Sequence, residues 1–277
     1  GGFLLDKNTT RDESSFVKQT LCWKKKGGNV VEDWLSGSAM NSLYRNNVHS
    51  IYADVFIPAG GRPRTLDATN YKAFLDKDGK PTARAIIEGA NLYLTPEARR
   101  ELEKLGTIII KDSSANKGGV ICSSFEVLCG LALGEELFMK NKKALVAEIL
   151  EILKGVACDE ARLMLDIYKK RDMFLTDISD KISANINMYT YQILDYLEKI
   201  PLSKDPKDPF VKCFLNYCPK TLQKKFQKQL LDEIPDAHKK AIIACRIGSR
   251  IVYEWGLDWA PSIVDVLPIV CRNEDII

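Results

Sequence analysis

The chain has 277 residues, enough for one large or two ordinary domains around a well-buried core. Hydrophobic residues make up 45% and charged residues 28%, which excludes a disordered chain, and 17 Gly with 11 Pro exclude a collagen-like one. The 40 basic and 37 acidic side chains leave a net charge of +3, so the whole chain offers no argument for nucleic-acid binding.

No run approaches the roughly 18 consecutive apolar residues that a membrane helix needs, and no membrane partner is expected. Gly1-Gly2-Phe3-Leu4-Leu5-Asp6 lacks a basic segment and an apolar core, so no signal peptide is read and a cytoplasmic location is expected. Eight cysteines stand at 22, 122, 129, 158, 213, 218, 245 and 271, with no CxxC pair among them. Only two histidines occur, His49 and His238. A zinc site needs clustered ligands. No metal is therefore expected, and the thiols read as buried, reduced cysteines.

The first half alternates short apolar runs with helical patterns. Ala53-Asp54-Val55-Phe56-Ile57-Pro58 reads as a strand ending at Gly60-Gly61. A helix is expected over 66–75. Ala83-Arg84-Ala85-Ile86-Ile87-Glu88 reads as a second strand and Thr107-Ile108-Ile109-Ile110-Lys111 as a third. Uninterrupted, β-branched runs of this kind suit strands covered on both faces. Between the last two, Thr95-Pro96-Glu97 has the chemistry of a helix start: a capping hydroxyl, a proline at the first helical position and an acid at the positive end. That helix runs through 98–105 and stops at Gly106. Strand, helix, strand, helix, strand implies a parallel sheet with crossover helices.

From about residue 134 the pattern turns helical. In 144–170, Leu145, Ile149, Ile152, Leu153, Val156, Leu163 and Ile167 recur near a 3.6-residue period. Segments 174–200, 220–234 and 237–255 read as further helices, with Pro201, Pro206 and Pro209 punctuating a loop. The stretch 201–250 holds 11 Lys/Arg against 5 Asp/Glu. It reads as a solvated helix face, since no aromatic platform interleaves the lysines. The fold class is thus α/β: a partial Rossmann-like parallel sheet in 1–133, then an all-helical C-terminal region in 134–277.

In a parallel sheet, ligands sit at the carboxyl ends of the strands. Three such ends here share one chemistry: Pro58-Ala59-Gly60-Gly61, Glu88-Gly89-Ala90-Asn91, and Asp112-Ser113-Ser114-Ala115-Asn116-Lys117-Gly118-Gly119. Small residues admit a flat ligand close to the backbone. The asparagines offer a donor and an acceptor each, which suits a carboxamide or a ribose hydroxyl. The third loop runs into a helix expected to start near Gly119 or Val120. Its N-terminus would seat a carboxylate, with Ser123 adding a hydroxyl. No GxGxxG occurs, so the opening phosphate-binding unit of a dinucleotide fold is not found in these residues.

These blocks resemble the NAD-dependent glutamate dehydrogenases, in particular the large-subunit bacterial class. The resemblance rests on Ala53-Asp54-Val55-Phe56-Ile57-Pro58-Ala59-Gly60-Gly61-Arg62-Pro63, on Glu88-Gly89-Ala90-Asn91-Leu92-Tyr93-Leu94-Thr95-Pro96-Glu97-Ala98, and on the block from Lys111 through Asn116-Lys117-Gly118-Gly119-Val120 to Ser123 and Val127. Ile251-Val252-Tyr253 and Pro261-Ser262-Ile263-Val264-Asp265 are similar as well. The resemblance covers 40–277 well and the first forty residues weakly.

It implies oxidative deamination of L-glutamate to 2-oxoglutarate and ammonia with NAD. It implies that Pro58, Ala59 and Gly60 border the cofactor, and that Gly89, Ala90 and Asn91 line the nicotinamide ribose. Asn116 would meet the carboxamide, while Gly119, Val120 and Ser123 would touch the substrate. Lys117 departs from the small residue of the hexameric enzymes and is expected to point to solvent. The family's catalytic lysine and aspartate and its phosphate-binding glycines are not found here. A fragment, inactive by itself, of a homo-oligomeric enzyme is therefore expected. The alternative is a non-catalytic helical regulatory or interaction module on a degenerate nucleotide-binding fold.

Overall fold

The computed structural model describes residues 20–35, 49, 51–60, 63–259, 261–262 and 264–265. Gly61, Arg62, Ile263 and Cys271 lie outside the described residues. Strands β1 (Thr20–Lys26) and β2 (Asn29–Leu35) form an antiparallel hairpin that the sequence reading did not anticipate. Its two-residue turn is Gly27-Gly28, with φ of +59° and +90°, the backbone hand that matches strand twist in a tight hairpin.

The three predicted strands all form: β3 (Ala53–Phe56), β4 (Ala83–Ile87) and β5 (Ile108–Ile110). They make one parallel sheet in the order β3-β4-β5. Phe56 is level with Ile86, and Ile86 with Ile109, so all three carboxyl ends emerge at one edge. Coverage is uneven. β5 is enclosed on both faces, but Val55 of β3 and Ile57 just beyond it are exposed, so the expectation of two covered faces fails at this edge strand.

Helix α1 (Pro96–Lys104) begins where the cap chemistry placed it. The Thr95 hydroxyl accepts from Ala98 N (3.3 Å), and Gly106 leaves at φ +92°. The helix expected over 66–75 does not form. Asp67 Oδ1 accepts from Thr69 N (2.7 Å) and Asn70 N (3.1 Å) instead. These local side-chain bonds compete with a helical ladder. Leu66 pairs with Leu94, and only a 3-10 turn, Tyr71–Phe74, remains.

Helix α2 (Asp112–Ala115) and helix α3 (Lys117–Lys170) follow β5 at once, so the helical start lies earlier than the expected Gly119 or Val120. Gly134, at φ +64° and ψ 175°, breaks α3. Then come α4 (Leu175–Glu198), α5 (Pro209–Tyr217), α6 (Lys220–Lys225), α7 (Gln227–Asp232) and α8 (Asp236–Trp255). The helix expected over 220–234 is two, divided at Phe226. Pro209 opens α5, where Asp208 Oδ1 accepts from Phe210 N (2.9 Å) and Val211 N (3.2 Å). Glu148 of α3 caps α6, accepting from Thr221 N (2.9 Å) and its hydroxyl (2.8 Å).

Two cores meet at β5. The sheet core gathers Leu66, Phe74, Ile86, Leu94, Leu102 and Ile109. The helical core gathers residues of α3 to α8, from Phe125 to Val252, and Ile108 and Ile110 pack against it. Alternation along a strand thus sends Ile109 to one core and its two neighbours to the other. Cys129, Cys213 and Cys218 are buried in the helical core, while Cys122, Cys158 and Cys245 are exposed. Burial pushes the Cys129 thiol up to about 11. So the reading of buried thiols holds for half of the described ones.

The start of α4 is fastened to the sheet side by polar contacts. Glu103 of α1 accepts from Thr176 N (3.1 Å) and its hydroxyl (2.7 Å). Arg100 grips Asp177 with two hydrogen bonds (2.9 and 2.5 Å) and lies 4.6 Å above the Phe174 ring. Ser114 meets Ser179 (2.6 Å), and Lys111 pairs with Asp180.

Two outcomes are expected. Gly248 of α8 lies hard against α4: a Cβ there would lie 2.8 Å from Thr190 Oγ1 and 3.0 Å from Thr190 N. Gly248→Ala should lower the unfolding free energy by about 1–3 kcal/mol in urea titrations, and unchanged stability would show that the helices part freely. The second concerns pH. The Arg100 hydrogen bonds hold the Asp177 carboxyl below its ordinary value. A depressed carboxylate contributes stability that is present above its unfolded value and lost as pH falls through the folded one. The pair is about two-fifths exposed, so Asp177→Asn should lose about 0.5–1 kcal/mol at pH 7. It should also flatten the stability loss below about pH 4, and an unaltered acid limb would contradict this.

Candidate functional site

The shared carboxyl edge of the sheet brings the three glycine- and asparagine-bearing loops together. After β3, the Pro58 carbonyl accepts from Ala90 N (2.7 Å), joining the first loop to the second. After β4, Glu88 N donates to Ile110 O (3.0 Å) of β5. Gly89 then passes so close that a Cβ would lie 3.3 Å from Pro58 O and 3.4 Å from Ala59 Cα. Only glycine fits that crossing comfortably. After β5, Asn116 turns back: its Nδ2 donates to Gly89 O (3.4 Å) and to Asn91 Oδ1. Both amide hydrogens of Asn116 are thus spent on the second loop. Among the described residues, no donor reaches its Oδ1, which remains an acceptor.

The second loop is braced from beneath by charge. Glu88, fully buried, accepts from Arg99 Nε (2.7 Å) and Leu94 N (2.9 Å). Arg99 Nη2 also donates to Asp112 Oδ1 (3.0 Å), and Asp112 Oδ2 accepts from Leu92 N (2.8 Å). Burial moves the Glu88 carboxyl above its ordinary value, against the pull of Arg99. Leu92, at φ +51°, is held in left-handed backbone between these anchors. One guanidinium therefore ties the end of β4, the start of α1 and the start of α2.

The predicted cofactor residues Pro58, Ala59, Gly60, Gly89, Ala90, Asn91 and Asn116 all lie on this edge. Gly60, Gly118 and Gly119 have nothing within 4 Å of where a Cβ would stand. Their smallness is not required by packing and leaves open space. Gly119, Val120 and Ser123 fall in the first two turns of α3. Val120 is 74% exposed, and the exposed Ser123 donates to Gly119 O (3.1 Å). The expected anion seat shifts with the earlier helix start. The first N–H groups of α3, which lack intrahelical partners, are those of Lys117 and Gly118.

Lys117 does not point to solvent. Its ammonium pairs with the buried Glu160, in the far half of α3, and Tyr253 of α8 donates to the same Oε2 (2.7 Å). Sequence reasoning missed Arg99, which braces the second loop, and the Glu160 and Tyr253 partners of Lys117. The available signal was weak: an ionisable residue closing an apolar strand at Glu88, and an arginine one turn after the Thr95 cap. His49, buried, bonds the Tyr93 hydroxyl (2.8 Å) and belongs to the sheet core. Among the described residues, no His, Cys, Asp and Glu gather as metal ligands, and no helix is long and apolar enough to cross a membrane.

With that geometry in place, the likeness to known proteins becomes informative. "Probable NAD-specific glutamate dehydrogenase" of Schizosaccharomyces pombe is 32% identical over 226 residues, which cover 77% of this chain and 20% of that one. "Glutamate dehydrogenase 2" of Dictyostelium discoideum is 34% identical over 250 residues, covering 85% of this chain and 23% of the other. "NAD-specific glutamate dehydrogenase" of Neurospora crassa is 31% identical over 241 residues, 83% of this chain and 22% of its own. These three are eukaryotic proteins, where the resemblance had pointed to a bacterial class. The chain spans about a fifth of the length of each relative. No solved structure matches it. The family described as Glutamate/Leucine/Phenylalanine/Valine dehydrogenase matches residues 5–160, more than half of the 277, and the chain belongs to that family.

Proposed function

We propose that this chain is part of a large-subunit, NAD-dependent glutamate dehydrogenase. It supplies the far half of the cofactor domain, in 1–133, and the helical region after it, in 134–277. The reaction is the oxidative deamination of L-glutamate to 2-oxoglutarate and ammonia. The observation that carries the reading is the convergence of the Pro58, Gly89–Asn91 and Asn116 loops at one sheet edge, with Asn116 Oδ1 left as an acceptor. The names of the relatives support NAD and glutamate.

NAD, when bound, supplies the acceptor for the hydride taken from the substrate. The residues of this chain bind and orient. Asn116 fits the carboxamide because its NH2 is already engaged, so its oxygen can take an N–H of the nicotinamide amide. Gly89 and Ala90 keep the shelf flat, and Ala59 and Gly60 bound it. The N–H groups of Lys117 and Gly118 favour a substrate carboxylate at the start of α3, and the Ser123 hydroxyl adds a donor when it rotates away from Gly119 O. Val120 offers an apolar contact to the aliphatic part of the same substrate. The blocks that would carry the catalytic lysine and aspartate are not found in these 277 residues.

Two tests follow. In the full-length enzyme, Asn116→Ala should weaken NADH binding about tenfold, as loss of a buried hydrogen bond and its loop tie would. Ser123→Ala should lower kcat/KM for glutamate by a similar factor while leaving NADH affinity unchanged. NADH fluorescence titration and steady-state rates read both. Wild-type NADH affinity in Asn116→Ala would refute the shelf. The 277-residue chain purified by itself should form no NADH from glutamate, and measurable turnover would contradict the division of labour proposed here.

A further inference from the structure

Lys117 begins α3 directly after Asn116, yet its side chain leaves the open edge and runs into the helical region. There it meets the Glu160 carboxylate, whose residue is only 4% exposed. Glu160 lies beyond the break at Gly134, so this pair ties the two halves of the bent α3 together. Tyr253 adds a third element, α8, by donating to the same oxygen at 2.7 Å. The arrangement is poorly suited to stability alone. Both partners crowd onto Oε2, while the buried Oε1 has no hydrogen-bond partner. A buried ion pair is weak evidence for stabilisation, and a half-satisfied one weaker still. What the pair does fix is place. Gly118 and Gly119 follow Lys117 without side chains that could anchor the turn, and Gly119 is held only by local bonds, its N–H to Asn116 O (3.1 Å) and its carbonyl to the Ser123 hydroxyl (3.1 Å). The tether at Lys117 is therefore the nearest side-chain anchor on the α3 side of Asn116.

We propose that Glu160, supported by Tyr253, is a positioning residue for the cofactor shelf: through Lys117 it sets the start of α3, and thereby the reach of Asn116 to Gly89 and Asn91. On the α3 side of Asn116 the helical region then reaches the site through this carboxylate, opposite the Ser114–Ser179 contact on the α2 side, although neither Glu160 nor Tyr253 stands on the sheet edge. This proposal rests on the reading of the edge as the nicotinamide seat, and the experiment separates the two.

NADH affinity, kcat and KM for glutamate are measured in the full-length enzyme for Glu160→Gln, Lys117→Met, Lys117→Arg, the Glu160→Gln/Lys117→Met double variant and Asn116→Ala. Glu160→Gln and Lys117→Met should each weaken NADH binding about five- to tenfold, and the double variant should be no worse than either. Lys117→Arg, which keeps the ion pair, should stay within about twofold of wild type. A purely structural role would lower the melting temperature while leaving NADH affinity per folded molecule unchanged, and that result overturns the proposal. Additive losses in the double variant would also overturn it. If Asn116→Ala weakens NADH binding and Glu160→Gln does not, the shelf stands and the positioning role falls. If Asn116→Ala binds NADH normally, both fall. Should Glu160→Gln fail to fold, Tyr253→Phe and Lys117→Met decide on the same affinities.

Discussion

One buried guanidinium organises the sheet edge. Arg99 donates to Glu88 at the end of β4 and to Asp112 at the start of α2, and each of those carboxylates also holds a backbone N–H of the 88–94 loop. The loop is thus clamped at Leu92 and Leu94, on either side of Tyr93. Taking away one partner of such a buried cluster strands the others without compensation, which costs about 3–5 kcal/mol in comparable cases. Without Arg99, two carboxylates would face each other at the foot of the loop. The loop carrying Gly89, Ala90 and Asn91 would then lose its fixed height against Pro58 and Asn116. A flat seat at this edge depends on that height.

The helical region is joined to this platform at two places. Below the edge, the start of α4 docks through Glu103–Thr176, Arg100–Asp177 and Ser114–Ser179. Behind the edge, Lys117 reaches Glu160 and Tyr253. Between these, the isoleucines of β5 serve both cores at once. The family match, covering 5–160, ends in the far half of α3 at Glu160 itself. The helices that follow are packed into one core with that half. They are built into the platform rather than appended to it.

Much of this was readable from residues. The strands announced themselves as short β-branched runs, and Thr95-Pro96-Glu97 marked α1 because capping chemistry is local. The three loops were legible because small residues and amides at strand ends have few structural reasons to recur together. Other features were not legible, for physical reasons. The helix expected over 66–75 lost to side-chain bonds made by Asp67, a competition that apolar spacing does not register. The division at Phe226 and the earlier start of α3 are matters of backbone angle, which helical periodicity tolerates within a turn. Lys117 was misjudged because its partner lies 43 residues away across a bend. A lysine in a glycine-rich loop reads as solvated until the fold delivers a buried carboxylate to it.

A crystal structure of the full-length protein with NADH tests the proposed nicotinamide seat most directly. The nicotinamide ring should lie over the edge formed by Ala59, Gly89 and Asn91, with the carboxamide nitrogen within hydrogen-bond distance of Asn116 Oδ1. A nicotinamide found elsewhere, with Asn116 Oδ1 turned from it or bonded to protein, would mean that this edge is not its seat.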